Sequence, residues 1–321
     1  MTRGGGILEE FRNAFSKPNN SLFQIIWINV AIFVLLNTIG VILWLFNISN
    51  FQPNACGVNS TDLFCSILRF FEIPASTTKF ITHPWTLITY FFTHVNFFHI
   101  LFNMLFLYWF GRLINEFLGH KRVVSLYFLG GIAGGLMYIL IYNLLPQFSE
   151  RVELTYMLGA SAGVFAIVVG AAAFMPNYTM YLLLFGPVQI KYIAIFYVLL
   201  SFFSIPGANA GGDIAHLGGA AIGFIYVKQL QKGNDFGVWI INSIAFLKSF
   251  FVRQPKIKVS YSSGKQASSG STQTRSKTTK SAPSSLPDQT EIDAILDKIS
   301  QSGYESLSKE EKQKLFNASK K

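Results

Sequence analysis

The chain has 321 residues, of which 51% are hydrophobic and only 13% are charged. Soluble domains carry about 25% charged residues, so the composition excludes an ordinary soluble domain and indicates a membrane protein. The net charge is +10, and 13 Lys/Arg against 7 Asp/Glu between residues 253 and 321 supply +6 of it. This excess is typical of a solvated tail near anionic lipid, and no RNA- or DNA-binding motif accompanies it, so we predict no nucleic-acid partner.

Six apolar segments have the length and hydropathy that membrane crossing requires. They are, roughly, residues 22–46, 99–118, 123–145, 157–175, 192–206 and 214–230. The polar first 21 residues lack the apolar run and cleavage site of a signal peptide, so the first segment is expected to remain as an anchor. Lys and Arg are more frequent in the short loops on the side of the two termini, which predicts cytoplasmic termini.

The fold class predicted is therefore all-α: a polytopic bundle of six transmembrane helices with a small helical cytoplasmic tail. The expected divisions are a cytoplasmic N-terminal segment (1–21), a membrane core (22–231), an interfacial amphipathic helix (232–252), a flexible linker (253–288) and a helical hairpin (289–321). The linker is predicted because its Ser/Thr/Lys-rich composition contains few large apolar residues.

A long outer loop, residues 47–98, joins the first two predicted spans. Its second half is rich in aromatic residues, which favours a position partly within the bilayer interface. The only two cysteines, Cys56 and Cys65, lie in this loop. A disulfide in an oxidising compartment and a pair of free thiols both fit the sequence.

Polar residues interrupt three of the apolar segments. His94, His99 and Asn103 belong to the second span or to the turn before it, Ser161 lies near the start of the fourth, and His216 near the start of the sixth. Such groups are unfavourable in lipid unless they meet partners. His99 and Asn103 are four residues apart, so they share one face of a helix and are expected to act on a common target.

Small residues would let the fourth and sixth spans approach each other closely. Ser161 follows Gly159 and should lie near a helix N-terminus, where backbone N–H groups favour developing negative charge. Gly219 and Gly223 form a GxxxG pair in the span that carries His216. Close packing of the two spans would bring the Ser161 hydroxyl within hydrogen-bonding distance of His216, as activation of a nucleophile requires.

Each feature alone has an ordinary structural explanation. A serine in a helix often bonds to its own backbone, and a histidine in a span often bridges helices. Their joint occurrence favours a catalytic site. Asp213 invites a Ser-His-Asp triad, but we expect it to cap the N-terminus of the sixth span, because a buried carboxylate needs a strong partner. We predict no cofactor and no metal site.

Together these motifs resemble the rhomboid family of intramembrane serine proteases. The matching motifs are His94-x4-His99-x3-Asn103, Gly159-Ala160-Ser161 and Ala215-His216-x2-Gly219, with Trp85 in the position of an aromatic loop motif. The resemblance implies that Ser161 is the nucleophile and His216 the general base, without a carboxylate. It implies that His99, Asn103 and the Ser161 backbone N–H form an oxyanion hole. The supporting residues it implies are His94, Gly159, Phe165, Gly219 and Trp85.

The implied reaction is hydrolysis of a peptide bond in or beside a substrate's transmembrane segment through an acyl-enzyme. The implied partners are transmembrane protein substrates and the lipid bilayer, and the implied location is the cell (inner) membrane of a bacterial-type six-span protein. The chain departs from the family pattern at Ala162, which replaces a glycine, and at Phe165, where a tyrosine is frequent.

Two other functions are compatible with parts of this pattern. A rhomboid-like protein that binds membrane clients without cutting them is one, but such relatives typically lack the serine or the histidine. A transporter that uses the intramembrane histidines as a proton path is the other, and it is disfavoured because we find no inverted repeat and no acidic residue well inside the spans.

Overall fold

The computed structural model describes residues 19–49, 62–182, 186–251, 289–302 and 306–318, together with residues 12, 14–16 and 56. Most of the predicted N-terminal segment and the whole predicted linker lie outside the described residues. The chain divides into two compact units, Met1–Lys256 and Ile257–Lys321. The first is called the membrane unit below and the second the tail unit, and each is described by itself.

The membrane unit is mostly helical. Its helices are α1 Ser21–Leu45, α2 Leu63–Arg69, α3 Thr77–Thr82, α4 Thr86–Thr89, α5 Phe97–Leu118, α6 His120–Leu144, α7 Ser161–Phe174, α8 Ile190–Ser204, α9 Ala210–Gln231 and α10 Val238–Phe251. Its strands are β1 Ile73–Pro74, β2 Tyr156–Met157, β3 Thr179–Leu182 and β4 Gly186–Gln189, and 3-10 turns cover Tyr90–Phe92 and Pro146–Arg151. The tail unit contains α11 Gln289–Ser302 and α12 Lys309–Ala318.

Helices occupy all six segments in which spans were predicted, but only three are long and apolar enough by themselves to cross a membrane. Among the described residues these are α1, α5 and α6. The helix in the fourth segment, α7, has 14 residues and is about 21 Å long, less than the roughly 30 Å of a hydrocarbon core. Ten of its residues are buried. Since neighbouring helices surround α7, it does not need the length of a lipid-facing span.

Four short strands depart from the all-α expectation. The β1 and β2 strands pair antiparallel, with Ile73 opposite Met157. This pairing ends the extended segment before α7, so the helix begins at Ser161 and not at Met157 as the apolar run predicted. The β3 and β4 strands form a second antiparallel pair, with Thr179 opposite Gln189. Residues 180–182, shortly before the predicted fifth span, belong to this pair.

The centre of the membrane unit is built from backbone contact between α6, α7 and α9. The most extensive helix packing is that of α9 against α7 and then against α6. A Cβ atom added at Gly223 of α9 would lie 2.3 Å from the Ala166 carbonyl oxygen of α7, and one added at Gly130 of α6 would lie 2.4 Å from the Ala166 Cβ. Glycine is therefore required on both sides of α7 for the three helices to meet.

The aromatic half of the outer loop folds into the helix bundle. Tyr90 and Phe91 are fully buried. The Tyr90 hydroxyl donates to the Gly131 carbonyl of α6 (2.5 Å), and the Tyr127 hydroxyl of α6 donates to the Phe91 carbonyl (2.7 Å). Asn29 of α1 donates to Tyr127 in turn (3.0 Å). These hydrogen bonds satisfy backbone carbonyl groups that would find no hydrogen-bond donor in lipid. In the first half of the loop, the two cysteines, which the sequence left undecided, form a disulfide.

The tail unit is a pair of helices joined by ion pairs. Lys298 of α11 lies 2.9 Å from Glu311 of α12, and Lys314 of α12 lies 3.0 Å from Glu291 of α11. The Ser308 N–H donates to the Glu311 carboxylate (2.7 Å), while the Glu311 N–H donates to the Ser308 hydroxyl (3.3 Å). This reciprocal pair is a capping box that starts α12.

Glu72, in the outer loop between α2 and β1, has a buried carboxyl group. Its side chain is 8% exposed. Burial raises the pKa of this carboxyl to about 7, and the nearby positive charge of Arg69 opposes that rise. Because the pKa is higher in the folded chain than in the unfolded one, where it is about 4.3, the ionised carboxylate destabilises the fold. Stability is therefore lost as the pH rises from about 4.5 to about 7.

Glu72→Gln should remove this loss, which is about 3 kcal/mol above pH 7. We expect the variant to raise Tm in detergent clearly at pH 8 and only slightly at pH 5, where the native carboxyl is already protonated in the folded chain. Thermal unfolding at the two pH values measures the difference. The exposed Glu150→Gln serves as the control and should change Tm at neither pH. An equal gain for Glu72→Gln at both pH values would contradict the prediction.

Candidate active site

A tight loop brings Ser161 to the first position of α7. Gly159 adopts a φ of +121°, which residues with a Cβ rarely reach. Its N–H donates to the Tyr90 carbonyl (2.9 Å), and the Ala160 N–H donates to the His94 Nε2 (3.2 Å). A Cβ at Gly159 would also lie 2.5 Å from the His99 ring. The loop therefore needs glycine for both its dihedral angle and its space.

The Ser161 hydroxyl meets the imidazole of His216 in α9. The Ser161 Oγ lies 2.7 Å from the His216 Nε2, within ordinary hydrogen-bonding distance. The Phe165 ring, one turn along α7, stacks on the imidazole with a centroid distance of 4.2 Å and an interplanar angle of 7°. A serine and a histidine in this arrangement have the geometry of a nucleophile and its base.

This contact depends on the close approach of α7 and α9. A Cβ added at Gly219 would lie 2.1 Å from the carbonyl oxygen of Ala162, the residue after Ser161. His216 is three residues before Gly219, so the same crossing that brings the two backbones together sets the imidazole against the hydroxyl. Gly219 is a packing residue and has no direct role in the reaction.

The second imidazole nitrogen faces a different helix. The His216 Nδ1 lies 2.9 Å from the Ser201 Oγ of α8 and 3.7 Å from the Asp213 Oδ1. The longer distance exceeds that of a hydrogen bond, so Asp213 is not a direct third member of a triad. Its expected role as a cap is also wrong, because α9 begins at Ala210 and the buried Asp213 side chain lies within the first turn.

An apolar cavity of about 480 Å³ opens beside this pair of residues, between α5, α7 and α8. It is lined by Phe98, His99, Phe102, Asn103, Phe106, Ser161, Val164, Phe165, Val168 and Tyr197. A few polar groups in a mostly apolar cavity are typical of a binding site.

The cavity unites the two residues of α5 that were expected to share a face. His99 and Asn103 both line it, together with Ser161. The Asn103 Nδ2 donates to the His99 carbonyl of its own helix (2.8 Å) and retains a second N–H, since an amide carries two. Asn96 caps the helix by accepting from the His99 N–H (3.1 Å), which fixes where α5 begins beside the cavity.

Trp85 is not among the residues that line the cavity. Its indole N–H donates to the Phe70 carbonyl (2.9 Å), and its ring packs against Phe70 and His83. These contacts hold the start of α4 to the residues of the outer loop that follow α2 and α3. His94 also acts at a distance from the cavity, through its bond to the loop before Ser161.

Comparison with known proteins agrees with the motifs and their geometry. A family model described as "Rhomboid domain" matches residues 82–232, the range that contains every residue of the candidate site. Residues 82–232 of this chain thus belong to the rhomboid family.

Two curated relatives support this membership. The chain is 32% identical over 157 residues to "RHOMBOID-like protein 12, mitochondrial" of Arabidopsis thaliana, a match that covers 46% of this chain and 47% of the relative. It is 28% identical over 160 residues to "Rhomboid-like protein 16, chloroplastic" of the same plant, covering 46% of this chain and 49% of the relative. The chain thus spans about half the length of the curated relatives it matches.

The tail unit has a match of its own. A model described as "Family of unknown function (DUF6576)" covers residues 286–321, which include both tail helices. The tail therefore has a family match separate from that of the rhomboid domain. The description of that family assigns no activity to the tail.

Sequence reasoning missed Ser201 in this rhomboid site. The fifth apolar segment contains two serines, Ser201 and Ser204, in a largely apolar run. A buried hydroxyl in such a run needs a hydrogen-bond partner. The sequence therefore indicates both serines as candidates but does not show which of them has a partner.

Gly219→Ala should destabilise the membrane unit, since its methyl group would collide with the backbone of α7. Overpacking of this kind costs about 1–3 kcal/mol, and a backbone oxygen at 2.1 Å cannot rotate away, so we expect the upper end. Thermal unfolding in detergent measures the loss.

Gly212→Ala, in the same helix, is the matched control. Its methyl group would meet only the Asn209 side chain, which can move, and alanine is the better helix former. We expect an unchanged or higher Tm for this variant. Equal losses of Tm for the two variants would contradict the importance of the Gly219 crossing.

Proposed function

We propose that this rhomboid-family membrane protein is a serine endopeptidase that hydrolyses peptide bonds in or beside the transmembrane segments of other membrane proteins. The observation that carries the proposal is the 2.7 Å contact between the Ser161 Oγ, which lines an apolar cavity, and the His216 Nε2. Nucleophile, base and apolar binding space all lie within the part of the chain that matches the rhomboid domain.

The proposed reaction has two halves. His216 Nε2 takes the proton of the Ser161 hydroxyl while the Ser161 oxygen attacks the carbonyl carbon of the scissile peptide bond. The resulting imidazolium returns that proton to the leaving amine, and the other product remains as an ester on Ser161. A water molecule, deprotonated by the same imidazole, then attacks the ester, releases the new carboxyl end and restores the serine.

The negative oxygen of the tetrahedral intermediate requires donors. The Ser161 backbone N–H is one of the free N–H groups at the start of α7, where the helix dipole favours negative charge. His99 and Asn103 line the same cavity and offer a ring N–H and an amide N–H. Together these groups suit the role of an oxyanion hole.

The cavity suits an unwound apolar segment of a substrate. Its walls are largely aromatic and aliphatic, and two of its residues, Phe98 and Phe102, are more than half exposed on the surface of α5. Exposed aromatic side chains on a span face lipid or the interface. A transmembrane substrate could therefore reach the cavity from the bilayer.

We further propose cytoplasmic termini and a site near the outer face of the cell (inner) membrane. Lys121 and Arg122 begin α6, and Lys228 lies in the last turn of α9, at the ends opposite to Ser161 and His216. The disulfide of the outer loop supports the same orientation, since disulfides persist in oxidising compartments outside the cytoplasm.

Ser161→Ala should abolish, and His216→Ala should reduce by about 10²–10⁴-fold, the labelling of the purified chain by a fluorophosphonate probe. The reason is that the probe reacts only with an activated serine hydroxyl. Cleavage of a transmembrane reporter in lipid vesicles should fall in parallel. His120→Ala, a histidine at the inner end of α6, is the matched control and should label normally.

Continued labelling or cleavage by Ser161→Ala would refute the mechanism. A wild-type chain that neither labels nor cuts, yet retains transmembrane proteins, would instead favour a client-binding protein without catalysis.

Asn103→Ala should slow labelling about 10²–10³-fold, the usual effect of losing one oxyanion-hole donor. Its matched control is Asn37→Ala. Asn37 makes the same bond to a carbonyl four residues earlier, here Phe33 in α1 (2.9 Å), but does not line the cavity. Both variants lose the same type of hydrogen bond to a backbone carbonyl. A difference between their labelling rates therefore reports the loss of an oxyanion donor. Similar rates for both would remove Asn103 from the proposed mechanism.

A further inference from the structure

The imidazole of His216 is held on both sides by hydroxyl groups from different helices. Its Nε2 faces Ser161 of α7, and its Nδ1 faces Ser201 of α8 at 2.9 Å. Ser201 is 5% exposed, and it does not line the substrate cavity. The Asp213 carboxylate, buried in the first turn of α9, has its Oδ1 3.7 Å from the same Nδ1.

The chemistry of these groups sets the direction of each hydrogen bond. The ionised Asp213 carboxylate, 3.7 Å from Nδ1, favours a proton on that nitrogen, because a negative charge attracts the N–H and repels a lone pair. The Ser201 oxygen then accepts from the Nδ1–H. Nε2 is left as the acceptor, which is the state required to take a proton from Ser161.

We propose that Ser201 is a positioning residue that accepts from the His216 Nδ1 and holds the imidazole in its base-competent tautomer. This inference rests on the proposed endopeptidase function and adds a residue from α8 to it. Asp213 lies 3.7 Å from the His216 Nδ1, too far for a direct bond, so Ser201, at 2.9 Å, is the direct partner of that nitrogen.

Only one proton moves in the first step. It passes from the Ser161 oxygen to the His216 Nε2, while the Nδ1 proton and the Ser201 proton stay on their atoms. The imidazolium that results is stabilised because the Ser201 dipole, oriented by the Asp213 charge, points its oxygen at Nδ1. Asp213 remains ionised throughout and accepts no proton.

The groups around the imidazole come from four helices. They are His99 of α5, Ser161 and Phe165 of α7, Ser201 of α8, and Asp213 of α9. His99 faces the cavity and Phe165 offers only its ring face. Ser201 is therefore the group placed to fix the proton on Nδ1.

The test compares three variants of the full chain in detergent, with a fluorophosphonate probe as the reagent. Ser201→Ala should lower the maximal labelling rate of Ser161 about tenfold to a hundredfold, the range for a hydrogen bond to a charged group. The probe concentration at half-maximal rate should not change, because Ser201 does not line the cavity. Ser201→Thr keeps the hydroxyl and should restore most of the rate.

Ser204→Ala is the matched control. It removes a hydroxyl from the same helix one turn further on, away from the bond to His216, and should label like the wild type. A folded-state check by thermal unfolding separates a loss of rate from a loss of structure. Should Ser201→Ala fail to fold, Asp213→Asn is the second variant, since it removes the negative charge that favours the proton on Nδ1 and should also slow labelling.

Nitrogen-15 NMR of labelled histidine gives a readout that a packing role would not move. The His216 Nδ1 should carry the ring proton in the wild type and in Ser201→Thr, whereas Ser201→Ala should give a mixture of tautomers. A wild-type labelling rate for Ser201→Ala, equal losses for Ser201→Ala and Ser201→Thr, or a proton on Nε2 in the wild type would each overturn the inference. Failure of the wild type to label at Ser161 would overturn the proposed function instead.

Discussion

The backbone contact between α7 and α9 is the constraint on which the rest of the site depends. Gly219 and Gly223 let α9 lie directly on the carbonyl groups of Ala162 and Ala166. In lipid there is no hydrophobic driving force between helices, so close packing of small residues supplies much of the association. The same residues that bind the two helices together therefore also set the distance between the Ser161 hydroxyl and His216.

The short length of α7 follows from this central position. A helix surrounded by α5, α6, α8 and α9 need not match the thickness of the bilayer, because neighbouring helices cover most of its surface. Its N-terminus can then begin inside the fold, where Gly159 and the bond from Ala160 to His94 shape the loop before it. Free N–H groups at a helix start, kept away from bulk water, are well suited to stabilise an oxyanion.

Burial of polar groups around the proposed active site is offset by pairing across helices. Ser161 of α7 and Ser201 of α8 each lie within hydrogen-bonding distance of the His216 imidazole of α9. A single partner missing from such a network would leave a buried group unsatisfied, which is costly. The polar network thus serves the proposed chemistry and the registration of three helices together.

Local sequence patterns were sufficient to predict much of this protein. Apolar runs located the helices, the four-residue spacing of His99 and Asn103 put both on the cavity, and the glycines beside Ser161 and His216 predicted their approach. Each of these properties depends on the period of a helix or on the absence of a side chain, and both are written in the sequence. Family motifs added Ser161 and His216 as the residues to examine.

Only the tertiary structure decided the start of α7, the pairing of β1 with β2, the distance of Trp85 from the cavity and the contact of Ser201 with His216. Each joins residues far apart in sequence; Ser201 and His216, for example, are 15 positions apart on different helices. The hydropathy of α8 marks Ser201 and Ser204 equally, because both are hydroxyls in an apolar run. Which of them meets the imidazole depends on how α8 is rotated against α9, and side-chain packing across the whole bundle determines that rotation.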